Sequence, residues 1–272
     1  MKTRFVRRKE KLTLCPCCLP LPVISHRAVI IILLLEAARL KNNGLYSTFF
    51  HPKSQAVIIE KVEIDFIYLA IVLGVILVSM TLHEAMHGFV SFWLGDDTAK
   101  RQGRLTLNPI KHIDPFLTIL LPLGLALIGA PVFGGAKPVP FNPDRVRWDE
   151  WGAALVAIAG PLTNLLIAFV MFGVWAVVGA PETGIGAQVL MTFVGVNLGF
   201  FIFNTLPIPP LDGSRVIYAL APEFIRTGMR FIERYGLIAI FLIVLVASGP
   251  LGLYMVGAIN FFLDAFQVIF RV

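Results

Sequence analysis

Charge is what this sequence has least of. Only 15% of its 272 residues are Asp, Glu, Lys or Arg, where soluble domains run near a quarter. The mean hydropathy is +0.81. That deficit excludes an ordinary soluble globular protein. No stretch is long and polar enough to form a separate soluble domain, and no internal repeat is visible. Cysteine is scarcer still: Cys15, Cys17 and Cys18 are the whole set, all near the N-terminus. A C-x-C-C cluster with no second half elsewhere is weak evidence for a metal site, and we read it as incidental thiols. The net charge of +6 fits the basic cytoplasmic loops of membrane proteins. It argues for no nucleic acid.

What the chain does have is long apolar runs, enough for an all-α polytopic membrane protein with about 5–6 membrane segments. The first span runs from about Ile64 to Leu94, a second from Trp151 to Val178, and a third from Ala187 to Leu206. Two closing apolar segments, Gly236 to Ala247 and Leu251 to Ile269, break at Ser248-Gly249-Pro250. Between the second pair of spans and these, Ser214 to Tyr235 is amphipathic, with Arg215, Arg226, Arg230 and Arg234 among apolar residues, and suits an interface. Residues 1–60 are unlike the rest: a basic start, the cysteines, then an apolar run, Ala28 to Leu35, too short to span. We expect 1–60 to be an irregular segment outside the native core, one reading being that the natural chain starts near Val62. Residues 61–235 would be the catalytic core and 236–272 the C-terminal membrane helices.

Against this apolar background one stretch stands out, Leu82-His83-Glu84-Ala85-Met86-His87-Gly88. Two histidines four residues apart on a helix lie about 40° apart around its axis, one turn removed. Both imidazoles can therefore reach one metal ion, and Glu84 projects beside them where it can take a proton from water. This is the H-E-x-x-H pattern of zinc proteases in its expected helical context. A chance match is the bland alternative. Ionisable groups in a spanning helix cost a few kcal/mol and are functional by default, which favours the metal site.

A catalytic zinc needs a third protein ligand and an open position. His112 qualifies by residue type but sits in a polar loop beside Lys111 and Asp114. Asp212 closes the run Pro207-Ile208-Pro209-Pro210-Leu211-Asp212-Gly213, where prolines end the third span. Irregular backbone at that depth is tolerated only when buried in protein or lining water. From spacing alone, Asp212 is either the third ligand or simply the N-cap of the next helix.

Taken together, these stretches resemble the site-2 protease family of intramembrane zinc metalloproteases, in its short prokaryotic branch. The resemblance rests on His83 to Gly88, on Gly160-Pro161-Leu162-Thr163-Asn164, and on Asn204-Thr205-Leu206-Pro207-Ile208-Pro209-Pro210-Leu211-Asp212-Gly213, and covers about 66–218. It implies one zinc ion held by His83, His87 and Asp212, with Glu84 catalytic. It also draws attention to Asn164 and Asn204 as contacts to the oxyanion or substrate. Many members place proline directly after the second Asn, whereas here Thr205 and Leu206 intervene. For Asn164 a second role is open, a hydrogen bond between packed helices beside Gly160. The implied partners are transmembrane protein substrates and the bilayer, in a multi-pass protein of a prokaryotic cell membrane. The oligomeric state is not readable.

Topology adds a constraint. For His83 and Asp212 to meet, the first and third spans must run parallel, so the segment 116–141 should be a hairpin or re-entrant element that does not cross. Within the polar stretch before it, Gly103 to Pro109 alternates briefly as in a short strand. Phe133 to Phe141 is expected to offer an edge for an extended substrate.

Overall fold

The computed structural model describes residues 66–120, 124, 136–246 and 248–272. The N-terminal stretch 1–60 with its cysteines, and most of the expected hairpin, lie outside the described residues. In chain order the helices are α1 (Phe66–Trp93), a single turn α2 (Thr98–Arg101), α3 (Asp149–Val177), α4 (Ile185–Asn204), α5 (Gly213–Leu220), α6 (Glu223–Glu233), α7 (Gly236–Val246) and α8 (Ser248–Phe270). Among the described residues, α1, α3, α4 and α8 are long and apolar enough to cross a membrane. The 20 residues of α4 rise about 30 Å, the thickness of a hydrocarbon core. The 11 residues of α7 rise only about half that.

Each spanning helix ends for a local reason. Gly95, with φ +108°, reverses the chain after α1, and Asp96 N donates to Ser91 O at 2.9 Å while Gly95 N donates to Phe92 O at 3.0 Å. This paired Schellman closure satisfies carbonyls that a bilayer could not. α3 begins with Asp149 and Glu150 in its first turn, favourable at the positive end of the helix dipole. α4 stops where Pro207, Pro209 and Pro210 remove amide donors. The expected amphipathic stretch is two helices, α5 and α6, parted at Pro222 and joined by Arg230 to the Tyr218 hydroxyl at 2.7 Å. The expected break residues Ser248-Gly249-Pro250 form the first turn of α8.

Helix directions follow from four hydrogen bonds and the contacts of Asp212. His87 of α1 bonds the Val156 carbonyl of α3, and His83, one turn earlier, bonds Asn164, two turns later in α3, so α1 and α3 are antiparallel. Asn197 of α4 reaches both Asn164 and Ser79 of α1. Asp212, beyond the end of α4, meets His83 and His87, which follow Ser79 in α1. Helices α1 and α4 therefore run parallel, as the site demands. α8 packs Met255, Ile259 and Phe266 into the apolar core with Phe172, Leu198 and Ile202, and Phe266 lies edge-on to Phe169.

Parallel α1 and α4 require that the chain between α1 and α3 leave and return on one face. It does so: Arg147 N donates to Leu94 O at 2.9 Å, closing 95–146, and Lys137 N donates to His112 O at 2.8 Å, closing 113–136. Both ends of the expected non-crossing element are thus in contact. Its described start, Pro115–Leu120, is wound as a wide π turn. The expected short strand within Gly103–Pro109 is absent. There Thr106 N turns back to Arg104 O and the Thr106 hydroxyl accepts from Asn108 N, local bonds that compete with any ladder. Trp93, Trp148 and Trp151 are all more than half exposed at this same end, the placement of an interfacial aromatic belt.

The closed ends make a topological prediction. In a variant without native cysteines, Asn108→Cys and Asn142→Cys should react with a membrane-impermeant maleimide from the same side of sealed vesicles. Labelling from opposite sides would refute the fold.

Candidate metal centre

Four residues apart on α1, His83 and His87 bring their Nε2 atoms within 3.0 Å of each other. Asp212 joins them, its Oδ2 3.2 Å from His83 Nε2 and 3.5 Å from His87 Nε2. Both histidines are buried, at 6% and 8% exposure. The alternative role for Asp212 as a plain helix cap does not hold. It stands at the N-cap of α5, but its side chain makes no capping bond and turns to the histidines instead. The turn that delivers it is tight: a Cβ on Gly213 would overlap the Thr205 carbonyl, so that position needs glycine.

The partners behind the rings settle the tautomers. His87 Nδ1 donates to the Val156 carbonyl at 2.7 Å, which can only accept. For His83 the same conclusion comes by a longer route. The Phe193 carbonyl takes one N–H of Asn197 at 2.8 Å and the Ser79 hydroxyl takes the other at 2.8 Å. Asn197 must then face Asn164 with its oxygen, which accepts from the Asn164 amide at 2.8 Å. That leaves the Asn164 oxygen to accept from His83 Nδ1 at 2.5 Å. Both rings are protonated on Nδ1, so each neutral ring presents its Nε2 lone pair toward Asp212. Two imidazole nitrogens and a carboxylate oxygen at 3.0–3.5 Å from one another suit a cation. A tetrahedral ion with ligand bonds of roughly 2.0–2.1 Å holds its ligand atoms about 3.3 Å apart. The donor set fits a zinc ion, and among the described residues no other His, Cys, Asp or Glu group does.

Gly160 makes room for this arrangement. A Cβ there would lie 2.5 Å from His87 Nε2 and 2.7 Å from His83 Nε2. Pro161, in the interior of α3, is a residue that costs about 3 kcal/mol in a helix. Glu84 lies between the ligand pair, and its Oε2 accepts from the Val139 amide at 2.9 Å. Val139 in turn packs where Gly88 has no side chain, since a Cβ there would stand 3.1 Å from Val139 Cγ1.

The other expected site residues fare differently. Asn164 has no exposed surface, and its amide oxygen bonds His83 while one amide N–H bonds Asn197. It is the bridge between packed helices. Asn204 ends α4, and its amide donates to the Phe200 carbonyl of its own helix at 3.0 Å. His112 is buried away from the group, its Nε2 donating to Thr106 O at 2.9 Å. Residues 137–140 offer a substrate no edge of amide donors. Lys137 N and Val139 N are bonded internally, and Pro138 and Pro140 have no N–H. Residues 133–135 lie outside the described residues. Sequence reasoning missed Asn197 and Ser79, although an amide within an apolar span is a signal of its own.

Known proteins give independent information. The chain is 43% identical over 196 residues to "Putative zinc metalloprotease YwhC" of Bacillus subtilis, covering 69% of this chain and 83% of that one. It is 30% identical over 192 residues to "Putative zinc metalloprotease Rip2" of Mycobacterium tuberculosis, covering 69% and 71%. An archaeal protein of Methanocaldococcus jannaschii, "Putative zinc metalloprotease MJ0611", is 40% identical over 105 residues, covering 36% of this chain and 50% of its own. No family model and no solved structure matches the chain.

Two substitutions test the centre by metal binding alone. Asn197→Leu removes the start of the amide chain and should weaken metal affinity about 10–100-fold, the usual cost of losing a partner behind a ligand, as read by chelator competition. Gly160→Ala should lower the metal content of purified protein more severely, because the added methyl enters the space between the rings.

Proposed function

This chain belongs to the site-2 protease-like family of membrane zinc metalloproteases, and from that premise we propose that it hydrolyses peptide bonds in or beside transmembrane segments of other membrane proteins. It is a multi-pass membrane protein and zinc is its cofactor. The observation that carries the reading is the depth of the centre. His87 and His83 precede Trp93 by six and ten residues, which places them about 9 and 15 Å inside the aromatic belt. A bond cut there belongs to a chain already within the bilayer. Lys100, Arg101 and Arg104 follow α1 directly, which supports a site nearer the cytoplasmic face.

In this mechanism His83, His87 and Asp212 hold the ion. Zinc, when bound, supplies Lewis acidity, which acidifies water toward a pKa of about 7 and polarises a carbonyl. The chain's own residues do the rest. The Nδ1 bonds to Asn164 and Val156 keep both rings in the neutral tautomer that ligates through Nε2. Asp212 brings a negative charge that balances the site without adding a proton. Glu84 takes the proton of the attacking water and hands it to the leaving amide nitrogen, a role worth typically 10²–10⁴-fold. Asn204 has one amide N–H bonded to the Phe200 carbonyl and a second that is an amide candidate for a substrate contact.

The test uses the purified protein reconstituted with a single-span substrate of known sequence. Glu84→Gln should retain one zinc per chain and lose cleavage by at least about 100-fold. Asp212→Asn should lose zinc and activity together. Cleavage that survives in Glu84→Gln would overturn the mechanism, and a wild-type protein that binds zinc but cuts no transmembrane segment would overturn the function.

A further inference from the structure

The polar stretch after α1 contains a charge with no obvious reason to be buried. Arg104 is 7% exposed. No carboxylate pairs with it among the described residues, and its Nε makes no hydrogen bond. Its guanidinium instead donates to two successive carbonyls, Lys137 O at 2.7 Å and Pro138 O at 3.3 Å. Withdrawing a guanidinium from water is costly unless it is well paired. A simple staple for a loop needs no charge.

What lies on the other side of the stapled backbone supplies the reason. Pro138 O and Val139 N belong to the same peptide group. Arg104 holds its oxygen, while its N–H donates to Glu84 Oε2 at 2.9 Å. One rigid, planar peptide therefore links the buried cation to the carboxylate of Glu84, the residue that follows His83. The segment 136–142 is anchored at two further points, Lys137 N to His112 O at 2.8 Å and Asn142 N to the fully buried Asp96 at 2.7 Å. It forms a strap across α1, seated on Gly88.

We propose that Arg104 is a positioning residue for Glu84, acting through the Pro138–Val139 peptide. The strap is a fixed support for the general base. Glu84 has a flexible side chain, and a base that wanders from the proton it must take loses much of its advantage, since a misplacement of about 1 Å can cost 10²-fold. The Val139 amide limits that wandering, and Arg104 keeps the amide where it is. The bond also draws on the positive charge of Arg104, because hydrogen bonds in series polarise one another.

This inference rests on the proteolytic reading for its kinetic test but not for its structural one. The kinetic test compares wild type, Arg104→Ala and Arg104→Lys in the reconstituted assay. Arg104→Ala should lower kcat about 10–100-fold with KM and zinc content nearly unchanged, and Arg104→Lys, which keeps the charge, should recover part of it. In a Glu84→Asp background, where the shortened carboxylate no longer reaches the strap, Arg104→Ala should add little. A full multiplicative loss there, or an unchanged kcat in the single variant, overturns the proposal.

The structural test is hydrogen exchange across 136–143, whose prolines at 138, 140 and 143 leave few amides to follow. Lys137, Val139 and Asn142 should be protected in the wild type. In Arg104→Ala, Lys137 and Val139 should exchange faster while Asn142, held by Asp96, stays protected. Unchanged exchange at Val139, or loss of all three together, overturns the positioning role even if no substrate is ever cut. If Arg104→Ala does not fold, Arg104→Lys carries the same exchange test.

Discussion

Lone pairs on His83 Nε2, His87 Nε2 and Asp212 Oδ2 come within 3.0–3.5 Å of one another inside helices built for a bilayer. In water such a group would be relaxed by solvent. In an apolar bundle it needs a positive charge among the three atoms, and a metal ion supplies it. Much of the architecture serves that requirement. α1 and α4 must run parallel, which makes the chain between α1 and α3 return to the face it left. α4 must end where Asp212 can turn inward, which the proline run and Gly213 allow. α3 must come close enough to lend its carbonyl and amide, which Gly160 allows.

The two faces of α1 around this point are supported by different means. Behind the rings, a chain of side-chain amides starts at a backbone carbonyl of α4 and ends on His83, so the orientation of each group follows from the one before. Such a chain is worth having only when complete, because a buried polar group without its partner costs about 1–3 kcal/mol. Beside the rings, Glu84 is met by backbone from the strap 136–142. His83 is thus fixed by side chains and His87 by a backbone carbonyl of α3, and the base by the strap between α1 and α3.

Some of this was legible from residues alone. The H-E-x-x-H spacing places two imidazoles on one face of any helix, whatever the surroundings. The proline run before Asp212 announces a broken helix in any context. The parity argument, which asks only that His83 and Asp212 meet, led to a non-crossing element at 116–141, and the bonds Lys137–His112 and Arg147–Leu94 bring its ends together. The brief alternation near Leu105 was misleading, because Thr and Asn side chains there bond their own backbone. Asn164 could not be assigned either, since an amide reads the same whether it faces a substrate or a neighbouring helix.

Local pattern, then, determined the kind of protein, the spanning helices, the metal-binding residue types and the base, because each depends on periodicity and chemistry within a few residues. The tertiary structure alone decided which groups stand behind them. Asn197 lies 114 residues from His83, and Arg104 lies 20 from Glu84 with its link passing through a peptide another 34 residues on. Those relations exist only once the helices have packed, and hydrogen bonds between distant segments leave no period in the sequence to read.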